Sequence, residues 1–175
     1  MGWHDLKRES ERRMMKRLRI YLDTSVINFL FVDDAPEFRK ITEDFFRNYV
    51  KPQKYEVYVS NVALAEIERT PDEERRSQLL GAIREYGLNL LTVGDEAARL
   101  ADVYLQEGIV PAKKIEDAQH IAIATCHQLD VLLSWNFKHL ANIQKQWAVR
   151  IVNEREGYFY PLLLTNPMEV LYEND

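Results

Sequence analysis

Cysteine is almost absent. Cys126 is the single example in 175 residues, which excludes an intramolecular disulfide framework. Its setting in an Ala- and Ile-rich stretch suggests a small buried side chain. No apolar run approaches the ~20 residues needed to span a bilayer. Residues 5–19 are charged and contain no apolar core, so they do not read as a secretory signal. The expectation is a cytoplasmic protein with no membrane partner. Internal repeats, low-complexity segments and clear linkers are also missing. With 46% hydrophobic and 29% charged residues, positions 19–175 read as one domain of ordinary globular composition.

Positive charge is scarce as well. The chain carries a net charge of −5, yet residues 1–18 form a basic extension. Through Arg19 there are seven Lys or Arg and three Asp or Glu, a surplus of four that leaves −9 for residues 20–175. The extension reads as a solvated, flexible arm, with phosphate contact the alternative. Met14 and Met15 directly precede the first strand, so it can also reflect start-site choice. The acidic body excludes broad electrostatic adhesion to nucleic acid, which needs many Lys or Arg contacts to phosphate. Nucleic-acid chemistry here must depend on a metal or on a few local cations.

What is present is an alternation of short apolar runs and helical patterns. Ile20, Tyr21 and Leu22 lead into Asp23, then Thr24, Ser25 and Val26, a pattern of a buried strand ending in a carboxylate with a helix starting at once. Asp23 reads equally as a site residue at a strand's carboxyl end and as an ordinary N-cap. A helix is expected from Pro36 to before Pro52, a strand over 55–60, and a helix over 62–69 capped by Ser60 or Asn61. A further helix starts at Thr70-Pro71 and stops at Gly87, followed by a strand over 89–93 and a helix over 95–106 closed by Gly108. A helix over 115–126 and a strand over 131–134 follow. Residues 150–152 read as a last strand, and Pro167 as the start of a short final helix. Strands alternating with helices predict an α/β layered fold with a central parallel sheet flanked by helices.

Three acids stand out because of their settings. Asp23 ends a strand, Glu66 lies among Val62, Ala63, Leu64, Ala65 and Ile67, and Asp117 precedes the apolar part of the helix over 115–126. Burying a carboxylate unpaired is costly, so such acids are more informative than those on charged faces. Ser134 and Asn136 repeat the pattern of polar groups at a strand's carboxyl end. Together these groups suit a hard cation such as Mg²⁺ or Mn²⁺, which prefers oxygen ligands. His120 and His127 are two helical turns apart, too far for one metal, and read as surface or capped residues.

At this point the chain resembles the PIN-domain ribonucleases, in particular VapC-type toxins. The matching pieces are the strand into Asp23-Thr24-Ser25-Val26, Glu66 in Val62-Ala63-Leu64-Ala65-Glu66-Ile67, Asp117-Ala118 with Ile121-Ala122 and Ala124, and Leu133-Ser134-Trp135-Asn136-Phe137. They occur in the family's order from Ile20 to about Val152. The resemblance implies a PIN-like three-layer fold, acidic ligands for one or two divalent cations, and hydrolysis of RNA. It also implies a homodimer and an antitoxin protein that enters the active-site groove.

One position departs from the family pattern: Asn136 stands where a fourth acid is usual. Its carbonyl oxygen can coordinate a hard cation but brings no charge, which counts against a second metal. The resemblance makes Asp23 and Asp117 metal ligands, Glu66 a ligand or a group acting through water, and Asn136 a ligand or an orienting group. Ser134 and Thr24 support them. Lys113 and Lys114 read as solvated, with contact to RNA phosphate the alternative, and Glu116 as a surface or capping charge. An aspartic protease would be almost all β, and a haloacid-dehalogenase-type phosphatase needs an acid where this chain has Ser25. The expected function is a metal-dependent endoribonuclease, the toxin of a type II toxin–antitoxin pair. The alternative is a catalytically weakened RNA- or partner-binding module.

Overall fold

The computed structural model describes residues 2, 4, 5 and 17–171, so the basic extension expected over 1–18 lies almost wholly outside the described residues. The sheet is built on β1, Arg19–Leu22, whose Ile20, Tyr21 and Leu22 are fully buried. Strands β2 (Glu56–Ser60), β3 (Asn89–Leu91), β4 (Val131–Leu133) and β5 (Leu163–Thr165) complete it in the order β3-β2-β1-β4-β5, all parallel. Ile20 aligns with Val57 on one side and with Val131 on the other. The order therefore switches direction at β1, between β2 and β4. Asp23 and Ser134 follow directly from β1 and β4, so both fall at the crevice that such a switch opens.

Seven α-helices cover the sheet among the described residues: α1 (Thr24–Asn28), α2 (Pro36–Phe45), α3 (Asn61–Glu68), α4 (Glu73–Glu85), α5 (Asp95–Gln106), α6 (Ile115–Cys126) and α7 (Ile143–Arg155). The α2 helix runs on into a π-helical turn, Phe46–Val50, and a short 3₁₀ turn, Pro167–Val170, follows β5. Alternation along β1 separates two cores. Tyr21 faces a cluster with Leu132 and with Tyr104, Ile121 and Ile123 of α5 and α6, while Ile20 and Leu22 face one with Phe45, Val59, Ala63 and Ile67. Each fully buried Ile or Leu contributes about 1.5–3 kcal/mol. The expected three-layer α/β fold with its parallel sheet stands. No helix among the described residues is long and apolar enough to cross a membrane.

Three local expectations are corrected. Residues 150–152 are not a strand but lie inside α7, whose N-cap Asn142 accepts a bond from the Lys145 amide. Val149 and Val152 bury themselves at helical spacing while Ile151 stays exposed. The last strand is instead β5. The helix expected from Thr70-Pro71 begins at Glu73, because Asp72 rather than Thr70 caps it, accepting from the Arg75 amide at 2.7 Å. Cys126, the last residue of α6, is half-buried rather than buried. The helix stops at Gly87 and Gly108 are as expected, each with a positive φ that suits glycine.

Candidate metal centre at the switch point

The ends of β1 and β4 are laced together by short polar side chains. The Asp23 amide donates to the Leu133 carbonyl, extending the strand pairing by one residue. Asp23 is buried, and its Oδ1 accepts from Ser25 Oγ at 2.5 Å and from the Val26 amide at 3.4 Å. Its Oδ2 accepts from Ser134 Oγ at 2.5 Å. Ser134 Oγ in turn accepts from the Asn136 amide, and Ser25 Oγ from the Trp135 amide. Asp23 is thus the N-cap of α1 and at the same time a buried carboxylate at the end of β1. Burial pushes its carboxyl above the usual aspartate range, against the ring of His120 and the bonds from Ser134 and Ser25.

Glu66 arrives from α3, whose N-terminus is fixed by Ser60 accepting from the Val62 amide. Its Oε1 accepts from Thr24 Oγ1 at 2.8 Å and bonds His120 Nε2 at 2.6 Å. Burial works against its charge, but the bond and field of His120, the Thr24 hydroxyl and the Arg69 guanidinium outweigh it. The carboxyl is held below the usual glutamate range. Glu68, the neighbour expected on the surface, is exposed.

Asp117 stands in the first turn of α6, three residues after the N-cap Lys114, which makes no side-chain cap bond. Its Oδ2 is buried with no hydrogen-bond partner, the only such side-chain atom among the described residues. Burial raises its carboxyl, helped by the nearby charge of Glu66 and opposed by His120, Lys114 and His139. Lys113 is exposed and Lys114 half-buried. Glu116 pairs at 2.7 Å with Arg69, the same guanidinium that acts on Glu66.

Asn136 closes a turn instead of reaching out freely: its Oδ1 accepts from the His139 amide at 3.0 Å. The structure therefore forms two hydrogen-bonded sets, Asp23 with Ser25 and Ser134 and Glu66 with Thr24 and His120, that adjoin through the chain neighbours Asp23 and Thr24, and it places Asp117 in electrostatic reach of Glu66. Asn136 is tied to the Asp23 set through its backbone amide. The residue that sequence reading misplaced is His120, which is 2% exposed and sits at the centre of the site. It lies three residues after Asp117 on α6, a spacing that puts both on one helix face, and this was the available signal. Tyr21, Ser25 and Ser60 were also missed.

Among the described residues, no three His, Cys, Asp or Glu side chains close into a metal cage. The donors still fit a hard cation. They are carboxylate oxygens on three acids whose charge is penalised by burial, and among the described residues one of these oxygens, Oδ2 of Asp117, is buried with no partner. Such a set suits an ion that keeps several of its waters and takes few protein ligands.

A PIN-domain family model matches residues 20–143, most of the chain and all four site segments. The chain belongs to the PIN-domain family. Among curated proteins, none matches it. Among solved structures, this PIN domain is similar to a chain of a toxin–antitoxin complex from Klebsiella pneumoniae, with a TM-score of 0.54 and 19% identity over 72% of this chain and 93% of that one. A VapBC-5 toxin–antitoxin structure from Mycobacterium tuberculosis gives a TM-score of 0.41 and 22% identity, covering 66% of this chain and 83% of that one. The first likeness supports the PIN fold at the level of backbone architecture.

Proposed function

We propose that this PIN domain is a Mg²⁺- or Mn²⁺-dependent endoribonuclease and the toxin of a type II toxin–antitoxin pair, acting in the cytoplasm as a homodimer and held by a cognate antitoxin protein. The observation that carries the metal is the buried, unpartnered Oδ2 of Asp117 beside acids raised or held by burial and hydrogen bonds. Asp23 and Asp117 would hold the ion, with Glu66 and the Asn136 carbonyl completing its surroundings. A bound divalent ion supplies an activated water and charge stabilisation at phosphorus. The chain's own residues do the rest. Ser134 and Ser25 fix both oxygens of Asp23, and Thr24 fixes Glu66. Lys114, close enough to act on Asp117, is a local cation available to a phosphate in an otherwise acidic body. The toxin–antitoxin complex that holds the Klebsiella pneumoniae neighbour supports an antitoxin as partner.

The test is cleavage of a mixed RNA pool by purified protein with Mn²⁺, beside chelator and an Asp117→Asn control. Cleavage that needs Mn²⁺ and Asp117 supports the reading, and cleavage indifferent to both removes it. Asn136 favours a second reading, because it brings no charge and its carbonyl already serves the His139 amide. On that reading the PIN domain binds RNA or a partner with weakened catalysis, and the RNA pool would be retained but not cut.

A further inference from the structure

A continuous run of hydrogen bonds crosses the buried side of the site. The Val62 amide donates to Ser60 Oγ at 3.2 Å, Ser60 Oγ meets the Tyr21 hydroxyl at 2.7 Å, and that hydroxyl meets His120 Nδ1 at 2.6 Å. His120 Nε2 then meets Glu66 Oε1 at 2.6 Å. Ser60, Tyr21 and His120 are all buried, so each polar hydrogen needs a partner inside the protein.

Counting donors fixes the direction. Glu66, ionised, only accepts, so His120 carries its hydrogen on Nε2. If Nδ1 also carried one, Tyr21 would have to accept from it and donate to Ser60. Ser60 Oγ, already accepting from Val62, would then keep a buried hydroxyl hydrogen with nowhere to go. The arrangement that uses every hydrogen runs from Ser60 to Tyr21 to Nδ1, with Nε2–H to Glu66. The Thr24 hydroxyl donates to the same Oε1 at 2.8 Å. Both bonds to Glu66 therefore fall on one oxygen, and among the described residues Oε2 makes no hydrogen bond.

We infer that Ser60, Tyr21 and His120 are positioning residues, a one-way hydrogen-bond relay that pins Oε1 of Glu66 and presents Oε2 to a hard divalent cation. The inference rests on the metal reading above. Groups of this kind orient a ligand without touching the ion, and their loss commonly weakens metal binding by ~10–100-fold.

Two measurements test it. In metal-free protein labelled with ¹⁵N-histidine, a long-range ¹H–¹⁵N correlation spectrum, with the His120 signals identified by their loss in His120→Gln, should show the Nε2–H tautomer. An Nδ1–H tautomer or a doubly protonated ring overturns the relay. Calorimetric titration with Mn²⁺ should then show His120→Leu weakened by ~10–100-fold and Tyr21→Phe by on the order of 10-fold. His120→Gln, whose side-chain amide still offers a donor, should bind more tightly than His120→Leu. If His120→Leu does not fold, Tyr21→Phe and the wild-type spectrum decide. Asp117→Asn lies outside the relay and separates the two readings. If it abolishes Mn²⁺ binding while the relay variants bind like wild type, the metal reading stands and the positioning falls. If wild type binds no Mn²⁺, the metal reading falls and takes the positioning with it.

Discussion

Replacing Asp117 by Asn isolates the consequence of leaving a buried carboxylate oxygen without a partner. Oδ2 of Asp117 is that oxygen, and an unsatisfied buried polar group costs about 1–3 kcal/mol, more when charged. The amide keeps a polar atom in place but removes the charge that burial and Glu66 both oppose. Against this, Asp117 lies in the first turn of α6, where a negative charge gains about 0.3–1 kcal/mol from the helix dipole. The relief exceeds the loss, so Asp117→Asn should be more stable than wild type in chelator at neutral pH by roughly 0.5–2 kcal/mol, the usual range for a stabilising substitution. Asp117→Ala removes the orphaned oxygen altogether and should be no less stable than wild type. Because the N-cap position belongs to Lys114, neither change removes a cap. Mn²⁺ at about 100 times its dissociation constant adds about 2.7 kcal/mol to the protein that binds it, enough to reverse the order in favour of wild type. Urea melts of the three proteins with and without Mn²⁺ measure all of this. If both variants are less stable in chelator, and Mn²⁺ shifts all three equally, the acids do not share a cation site.

The pH dependence follows from the same burial. Asp23 and Asp117 hold their protons above the ordinary aspartate value of 3.8, so the unfolded chain ionises first and their contribution to stability falls as pH rises from that value through the higher folded ones. Glu66 has the opposite sign: held below its ordinary 4.5, it adds stability that is lost as pH falls. In chelator, the advantage of Asp117→Asn should therefore grow with pH across the aspartate window. Melts showing a gap independent of pH would contradict this. Ser134→Ala leaves Oδ2 of Asp23 and the Asn136 amide without their buried partner and should cost about 1–3 kcal/mol in a thermal or urea melt; an unchanged melt would mean that water replaces the hydroxyl. Asn136→Asp keeps an oxygen for the His139 amide while adding a charge, and should tighten Mn²⁺ binding by on the order of tenfold. Unchanged or weaker binding in calorimetry would place that side chain away from the ion.

The acids were legible in the sequence because each is chemically out of place. Glu66 interrupts an apolar helix, Asp23 ends an apolar strand, and Asp117 opens an apolar helix face. The alternation of strands and helices carried the parallel sheet for the same reason, since a buried strand and an amphipathic helix differ in period. What could not be read is what the sheet register brings together. Tyr21 and His120 stand 99 residues apart, and they meet only because β1 is central and α6 packs against the face that Tyr21 points into. A histidine in an apolar helix does not by itself reveal a partner across the sheet. The error at residues 150–152 has a different origin: Ile151 and Val152 favour strands locally, but a capped helix burying Val149 and Val152 gains more from packing than from that preference.

The most direct measurement of the central claim is a calorimetric titration of Mn²⁺ into metal-free wild type and into Asp117→Ala, with circular dichroism confirming that both are folded. A cation held at Asp117 and Asp23 predicts saturable binding to wild type and binding lost or weakened by at least tenfold in Asp117→Ala. Equal affinity in the two folded proteins, or no binding to wild type, would contradict a metal centre at this site.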